Sequence, residues 1–141
     1  MSRMSTSVVA EPVVTAWHPQ HGMSRTTCRL RYEPSDPYAV TVGATRADGR
    51  LATWTFARSL LADGAAGHAG IGDVRIWRVT SDDSRVAMAL CGPSGSAHLY
   101  APLGEVAAFL AATNHAVRPG TEHLVHDVDA ELEALLDDTD S

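Results

Sequence analysis

The feature that most constrains the fold of this chain is a predicted β-hairpin in its first half. Two apolar segments, residues 38–47 and 50–57, are separated only by Asp48-Gly49, a dipeptide that favours a tight type I′ turn between antiparallel strands. Counting back from a two-residue turn predicts that Gly43 lies opposite Trp54, which lets the indole cross the partner strand. Both faces of the hairpin then carry apolar groups, so we expect helices on one face and further sheet or a partner subunit on the other.

The remaining sequence predicts an α+β fold, in which antiparallel β-sheet is combined with a short mid-chain helix and two C-terminal helices. Strict alternation of side chains is typical of a half-buried strand at residues 24–32. Pro12 makes the first strand an edge or bulged strand. The predicted elements, in order, are strands at 8–17, 24–32, 38–47 and 50–57, a helix at 58–63, strands at 73–80, 85–91 and 95–101, a helix from Pro102 to about Asn114, and a last helix from Asp127 or Asp129.

The short mid-chain helix is expected to end at Gly64, because glycine readily adopts the left-handed conformation that closes a helix. The glycine- and alanine-rich segment 64–70 that follows is predicted to be a flexible loop.

Charge is unevenly distributed along the 141 residues, which are predicted to form one domain over 1–136 and a mobile acidic tail over 137–141. All 11 basic residues are arginines, and up to Gly120 they face 9 acids, whereas the remainder holds 8 acids and no arginine. Strong non-specific binding of nucleic acid depends on Lys and Arg that neutralise phosphates. The net charge of −6 therefore makes a nucleic-acid partner an unfavoured prediction.

The expected location is cytoplasmic. No apolar run approaches the ~20 residues of a membrane-spanning helix, and the N-terminus lacks the continuous apolar segment of a secretory signal. Cys28 and Cys91 lie in apolar surroundings. In a reducing compartment both are predicted to be small buried side chains rather than a disulfide or redox pair.

No constellation of nucleophile, base and orienting group predicts an enzyme, and we expect no cofactor. His18-x-x-His21 lies in a Pro/Gly loop and His123-x-x-His126 precedes a helix, whereas this spacing chelates a metal when it is helical. Gly70-x-Gly72 opens a strand, although a phosphate cradle needs a helix N-terminus. Four charged residues near element ends are expected to form Asp–Arg pairs that hold loops: Asp36, Arg58, Asp73 and Arg75.

One basic patch is a candidate surface for an acidic partner or a single-stranded nucleic acid. It consists of Arg25, Arg29 and Arg31 on the outer side of the strand at 24–32, with Arg46 and Arg50 at the hairpin end. Single-strand binders stack bases on exposed rings, but here the rings alternate with the arginines and are predicted to point inward. An ordinary solvated strand face is the alternative.

Five short segments occur in a fixed order along the chain. They are Leu30-Arg31-Tyr32, Asp36-Pro37-Tyr38-Ala39-Val40, Trp54-x-Phe56-Ala57-Arg58-x-Leu60-Leu61-x-x-Gly64, Gly70-x-Gly72-Asp73-Val74-Arg75-x-Trp77 and Pro119-Gly120-Thr121-Glu122-His123. Together they resemble the SsgA-like proteins of actinobacteria, which are sporulation and cell-division regulators. The match runs from about Leu30 to Leu136 and is most similar to the SsgB-type members.

This resemblance implies a non-enzymatic role in placing septa. It implies that the protein recruits the tubulin-like division GTPase FtsZ to division sites at the septum, promotes its polymerisation, and works with other division proteins, including SsgA-type paralogues. It also implies a homotrimer and a fold similar to the whirly-type single-stranded nucleic-acid binders. Fold similarity does not carry function, so a single-stranded nucleic-acid module is the alternative function.

Overall fold

The computed structural model describes residues 6–45, 49–81, 84–93 and 95–125. In these residues, nine β-strands form one curled antiparallel sheet and two α-helices pack against it, which confirms the predicted α+β class. The elements are β1 (Val8–Ala10), β2 (Val13–His18), β3 (Gly22–Tyr32), β4 (Ala39–Thr45), β5 (Leu51–Ala57), α1 (Arg58–Ala66), β6 (His68–Ile71), β7 (Val74–Arg78), β8 (Arg85–Gly92), β9 (Gly95–Pro102) and α2 (Leu103–Ala116).

The sheet has the strand order β5-β4-β3-β2-β9-β8-β7-β6, and β1 pairs with β3 beside β2. The long strand β3 joins the two parts of the sheet, because its first half pairs with β2 and its second half with β1 and β4. The predicted interruption by proline is confirmed. Pro12 separates β1 from β2, and its carbonyl still accepts a hydrogen bond of 3.1 Å from the Cys28 N–H.

The predicted hairpin is present, but its predicted register is wrong by one residue. Val42, not Gly43, lies opposite Trp54, and Thr45 lies opposite Leu51. Five residues separate Thr45 from Leu51, an odd number that a simple two-residue turn does not produce. The predicted turn type falls largely on residues 46–48, outside the described residues.

A shift of one residue moves every side chain of a strand to the other face. The hairpin therefore has one apolar face, which is buried, and one outer face that carries threonines. The outer face is mainly polar, with the exposed Leu51 as its large apolar side chain, so the expectation of apolar surface on both faces is wrong. The buried side chains of the inner face are Val40, Val42, Ala44, Ala52, Trp54 and Phe56.

Helix α1 continues past Gly64 to Ala66, so the predicted end of this helix is wrong. Gly64 does not adopt a left-handed conformation. It is instead the point where the helix touches β7, since a Cβ on Gly64 would lie 2.4 Å from the Cβ of Ile76. The predicted loop 64–70 is therefore the last turn of α1 followed by β6, and Gly72, with φ of +59°, forms the tight β6–β7 turn.

Helix α2 follows Pro102 as predicted and buries Val106, Phe109 and Leu110 against the sheet. Residues 122–125 are also helical, which is earlier than the predicted start near Asp127 or Asp129. The rest of the predicted last helix and the acidic tail at 137–141 lie outside the described residues. In the described part of the chain, no helix is long and apolar enough to cross a membrane.

The two cysteines differ in environment, although both were predicted to be buried. Cys28 lies in the core with 1% of its surface exposed, and burial raises the pKa of its thiol to about 12. Cys91 is exposed on β8 and accepts a hydrogen bond of 3.3 Å from the Ser96 hydroxyl. The prediction is confirmed for Cys28 and wrong for Cys91.

Candidate functional site

A buried arginine joins the start of α1 to the C-terminal end of α2. Arg58 is 3% exposed, and its Nη1 donates hydrogen bonds to the carbonyls of Thr113 (3.0 Å) and Val117 (2.7 Å). The Thr113 carbonyl also accepts a hydrogen bond of 2.9 Å from the Val117 N–H. The Val117 carbonyl lies just past the last residue of α2, where carbonyls have no partner within the helix, and the guanidinium supplies one. Its Nη2 lies 2.7 Å from the Glu122 carboxylate, which completes an ion pair inside the fold.

Two aromatic residues complete this Arg58 cluster. The Arg58 guanidinium lies 4.9 Å from the centre of the Tyr32 ring, a distance suited to a cation–π contact. The Tyr32 hydroxyl donates to the Pro37 carbonyl at 3.0 Å, and the Arg58 N–H donates to the Tyr38 carbonyl at 2.7 Å. Burial raises the pKa of Tyr32.

The charge partner of Arg58 differs from the prediction. We expected Asp–Arg pairs, but Arg58 pairs with Glu122, and the hydrogen bond from Arg58 lowers the pKa of the Glu122 carboxyl. The N–H of Gly120 also donates to Glu122, at 2.8 Å. Arg58 at the start of α1 therefore contacts the end of α2 and the segment around Glu122, which lie far from it in the sequence. Its side-chain hydrogen bonds hold these helices and loops together.

The predicted basic face of β3 exists, because Arg25, Arg29 and Arg31 all point outward and are exposed. Arg31 is held by Glu33 through its Nη2 (2.6 Å) and Nε (2.8 Å), and hydrogen bonds from Ser7 and Arg31 lower the pKa of Glu33. The Nη2 of Arg29 lies 3.5 Å from the Glu11 carboxylate.

The two remaining residues of the predicted patch belong to the hairpin end. Arg50 is exposed just before β5, and Arg46 lies outside the described residues. The interpretation of the rings is confirmed for Tyr32, which points into the core. Trp17, on the neighbouring strand, is 45% exposed and pairs with Met23 on the outer face of β2 and β3.

Exposed apolar side chains accompany the arginines on this outer face. Val13, Trp17 and Met23 are each about half exposed, and the Trp17 ring lies 5.9 Å from that of His98 on β9. The sequence predicted an apolar first strand, but it contained no signal that the outer face of that strand would stay uncovered.

A concave opening of about 520 Å³ lies at one end of the curled sheet, with Ala16, Trp54 and Leu99 among its lining residues. His18 and His21 lie at its rim with their rings stacked 4.7 Å apart. The described residues contain no group of three or more His, Cys, Asp or Glu side chains placed to hold a metal ion. His123-x-x-His126 extends beyond the described residues.

The ordered segments and this geometry can be compared with known proteins. The family model described as "Streptomyces sporulation and cell division protein, SsgA" matches residues 26–122. The chain belongs to the SsgA family. The SsgA family segments quoted above include Tyr32, Arg58 and Glu122, which are the residues that form the buried cluster.

Named members of the SsgA family are similar over most of the chain. A protein of Frankia casuarinae named "Sporulation-specific cell division protein SsgB" is 44% identical over 108 residues, which are 76% of this chain and 76% of that protein. The SsgB of Streptomyces coelicolor is also 44% identical over 108 residues, 76% of this chain and 79% of its own length. The chain is therefore an SsgA-like protein of the SsgB type.

Solved structures of SsgA-family proteins share the fold. The SsgA-like sporulation-specific cell division protein of Thermobifida fusca matches with a TM-score of 0.82 at 33% identity, over 95% of this chain and 98% of that one. A structure reported with "Mutations in SsgB correlate to longitudinal cell division during sporulation of Streptomyces coelicolor" matches with a TM-score of 0.77 at 37% identity, over 89% and 99%.

Proposed function

We propose that this protein is a non-enzymatic regulator of sporulation septation, an adaptor that recruits FtsZ to division sites at the septum and promotes septum assembly. The observation that carries the proposal is the family match over residues 26–122, together with relatives named sporulation-specific cell division proteins. An adaptor acts through exposed surface rather than an enclosed site. The arginines and apolar side chains on the outer face of β2 and β3 supply such a surface.

The buried polar chemistry supports a role without catalysis. Arg58 and Glu122 satisfy one another and the end of α2, so neither is poised to act on a substrate. The thiol of Cys28, with a pKa raised to about 12, stays protonated near neutral pH and is a poor nucleophile.

The direct test of the adaptor proposal is co-sedimentation with FtsZ. We expect the protein to pellet with GTP-assembled FtsZ polymers at physiological salt and to increase the amount of polymer. Protein without FtsZ, and FtsZ held in GDP, provide the controls. A protein that stays in the supernatant and leaves FtsZ assembly unchanged would refute the proposal.

A single-stranded nucleic-acid module is the second candidate, and the exposure of Trp17 beside the arginine face favours it. The likeness of the fold to whirly-type binders stays a prediction. Titration of a labelled oligonucleotide in buffers of increasing salt concentration separates the two candidates. Real phosphate contacts would make binding weaken steeply as salt increases, whereas the adaptor proposal expects no such steep dependence.

We also propose that the chain assembles as a homotrimer and meets SsgA-type paralogues in the cytoplasm at the septum. The expected interface was either the apolar outer side of the hairpin at 38–57 or the helix faces, but the outer side of the β4–β5 hairpin carries mainly threonines. The exposed apolar group of Val13, Trp17 and Met23 replaces it as the proposed interface, because large exposed apolar patches mark association sites.

Sedimentation velocity at micromolar concentration tests the trimer. We expect a species of three times the 15.0 kDa chain mass, and we expect Trp17→Glu to convert it to single chains because a buried charge at an interface is unfavourable. Ile71→Glu alters an apolar side chain at the β6–β7 turn that is 68% exposed, more than Trp17, and should leave assembly intact. Wild-type protein that sediments only as single chains would contradict the proposal.

A further inference from the structure

A shallow groove of about 420 Å³ crosses the outer face of β3, β4 and β5. At its centre, Gly43 of β4 lies between Arg29 on one neighbouring strand and Thr53 on the other. Side chains at these three register positions point to the same face of the sheet. Because Gly43 has no side chain, it leaves a gap between a charged wall and a hydroxyl-bearing wall.

The fold does not require a glycine at this position. Gly43 has no positive φ, and an added Cβ would meet Leu51 Cδ1 at 3.7 Å and Thr53 Cγ2 at 3.8 Å, which is ordinary van der Waals contact. Glycine in a strand interior weakens the strand because it has no side chain to pack. Gly43 is buried by its neighbours, but contacts of this length do not require a glycine, and the absence of its side chain leaves the groove open above it.

The charged wall suits a carboxylate ligand. Arg29 is paired at 3.5 Å with Glu11, which lines the same groove, and both side chains are more than half exposed. This surface ion pair is weak, so a ligand carboxylate can replace Glu11. Arginine binds carboxylates through two parallel hydrogen bonds. Arg31 lines the same groove and adds positive charge, although Glu33 holds it more closely.

The hydroxyl-bearing wall is formed by an edge strand. β5 is the last strand in the order, and no other strand of the described part pairs with its outer edge. An extended peptide that lies in the groove can contact this wall through Thr53. Leu51, which is 69% exposed at the start of β5, gives such a peptide an apolar contact.

We propose that this groove is the docking site for an extended acidic segment of a partner protein, which lies along the groove over Gly43 and places a carboxylate against Arg29. The proposal deepens the adaptor function and rests on it in taking the partner to be a division protein. A nucleic acid fits the groove less well. Single-strand binders use aromatic platforms, and the described lining residues of this groove include no aromatic ring.

The first test uses a labelled decapeptide of alternating glutamate and threonine, with a lysine–threonine decapeptide as the matched control, in fluorescence anisotropy. We expect the acidic peptide to bind and the basic one to fail. Gly43→Thr should fill the groove and weaken binding at least tenfold, and Arg29→Gln at least fivefold. Gly104→Ala, at an exposed helix position where a Cβ meets nothing within 4 Å, should bind as the wild type does.

Thermal melts show whether the variants are folded, and we expect Gly43→Thr to melt no lower than the wild type because threonine favours strands. Unchanged peptide binding by folded Gly43→Thr would overturn the proposal. Tighter binding of an oligonucleotide that competes with the peptide would overturn it too, because the groove would then be a nucleic-acid site.

Co-sedimentation separates this inference from the adaptor function. If wild-type protein pellets with FtsZ and folded Gly43→Thr does so equally well, the docking site is wrong and the adaptor function stands. If the wild type fails to pellet but its peptide binding is lost in Gly43→Thr, the groove stands and the choice of FtsZ is wrong. If the wild type binds the peptide and pellets with FtsZ, and folded Gly43→Thr does neither, both the docking site and the adaptor function are supported.

Discussion

Replacing Gly64 with alanine is expected to lower the free energy of unfolding by about 3 kcal/mol, at the upper end of the usual cost of overpacking a core. The new Cβ would lie 2.4 Å from the Cβ and Cγ2 of Ile76 and 2.9 Å from its carbonyl oxygen. Neither the Cβ nor the backbone oxygen can move by a rotamer change. Helix α1 would therefore have to shift away from β7, and urea denaturation followed by circular dichroism measures the cost.

Gly104→Ala is the matched control for Gly64→Ala. It adds the same methyl group to a helical glycine that has open space around it, so it should raise stability by about 0.5–1 kcal/mol through helix propensity. If Gly64→Ala unfolds at the same urea concentration as the wild type, the close packing of α1 on β7 is wrong.

The difference between these two glycines shows a limit of sequence reasoning. A glycine near the predicted end of a short helix can close the helix in a left-handed conformation, or it can allow close packing against another element. The sequence around Gly64 does not distinguish these two roles. The separating fact is the position of Ile76, which reaches Gly64 only through the β6–β7 hairpin. Local patterns placed the strands and α2 well, because period and turn residues are properties of neighbouring positions.

The register of the hairpin was the second limit. Asp48-Gly49 marked the turn, but the loop length was misjudged by one residue, and this turned every side chain of one strand to the wrong face. In the predicted register Gly43 faced Trp54. In the structure it faces Thr53 on the outer side, and the groove follows from that single shift.

The candidate surfaces were predictable to different degrees, because local patterns predict only contacts between residues that are close in the sequence. The outward direction of Arg25, Arg29 and Arg31 follows from alternation within one strand and is confirmed. The partners of Arg58 lie 55 to 64 residues further along the chain, and no local pattern connects them. Arg58 and Glu122 both lie in the ordered family segments, but the sequence predicted an Asp partner for Arg58 and did not predict this pair.

Arg58→Met is expected to lower the free energy of unfolding by about 3–5 kcal/mol, the usual cost of removing one partner of a buried ion pair. Methionine keeps much of the apolar stem but removes every side-chain donor. The Val117 carbonyl and the Glu122 carboxylate then lose the hydrogen bonds from Arg58, and the Thr113 carbonyl keeps only the one from the Val117 N–H. Arg58→Lys should recover only part of this, because one ammonium replaces a guanidinium that donates in two directions.

The pH dependence of stability identifies the Arg58–Glu122 pair as the cause. The folded protein holds the pKa of Glu122 below its ordinary value of 4.5. The pair therefore stabilises the fold fully above that ordinary value, and this contribution is lost as pH falls through the lowered pKa. Urea midpoints measured from pH 6 down to pH 3 should fall less in Arg58→Met and in Glu122→Gln than in the wild type.

Arg29→Met, which breaks the exposed 3.5 Å contact with Glu11, should change stability by less than about 1 kcal/mol. An Arg58→Met effect as small as that would show that the buried cluster does not hold α2 in place.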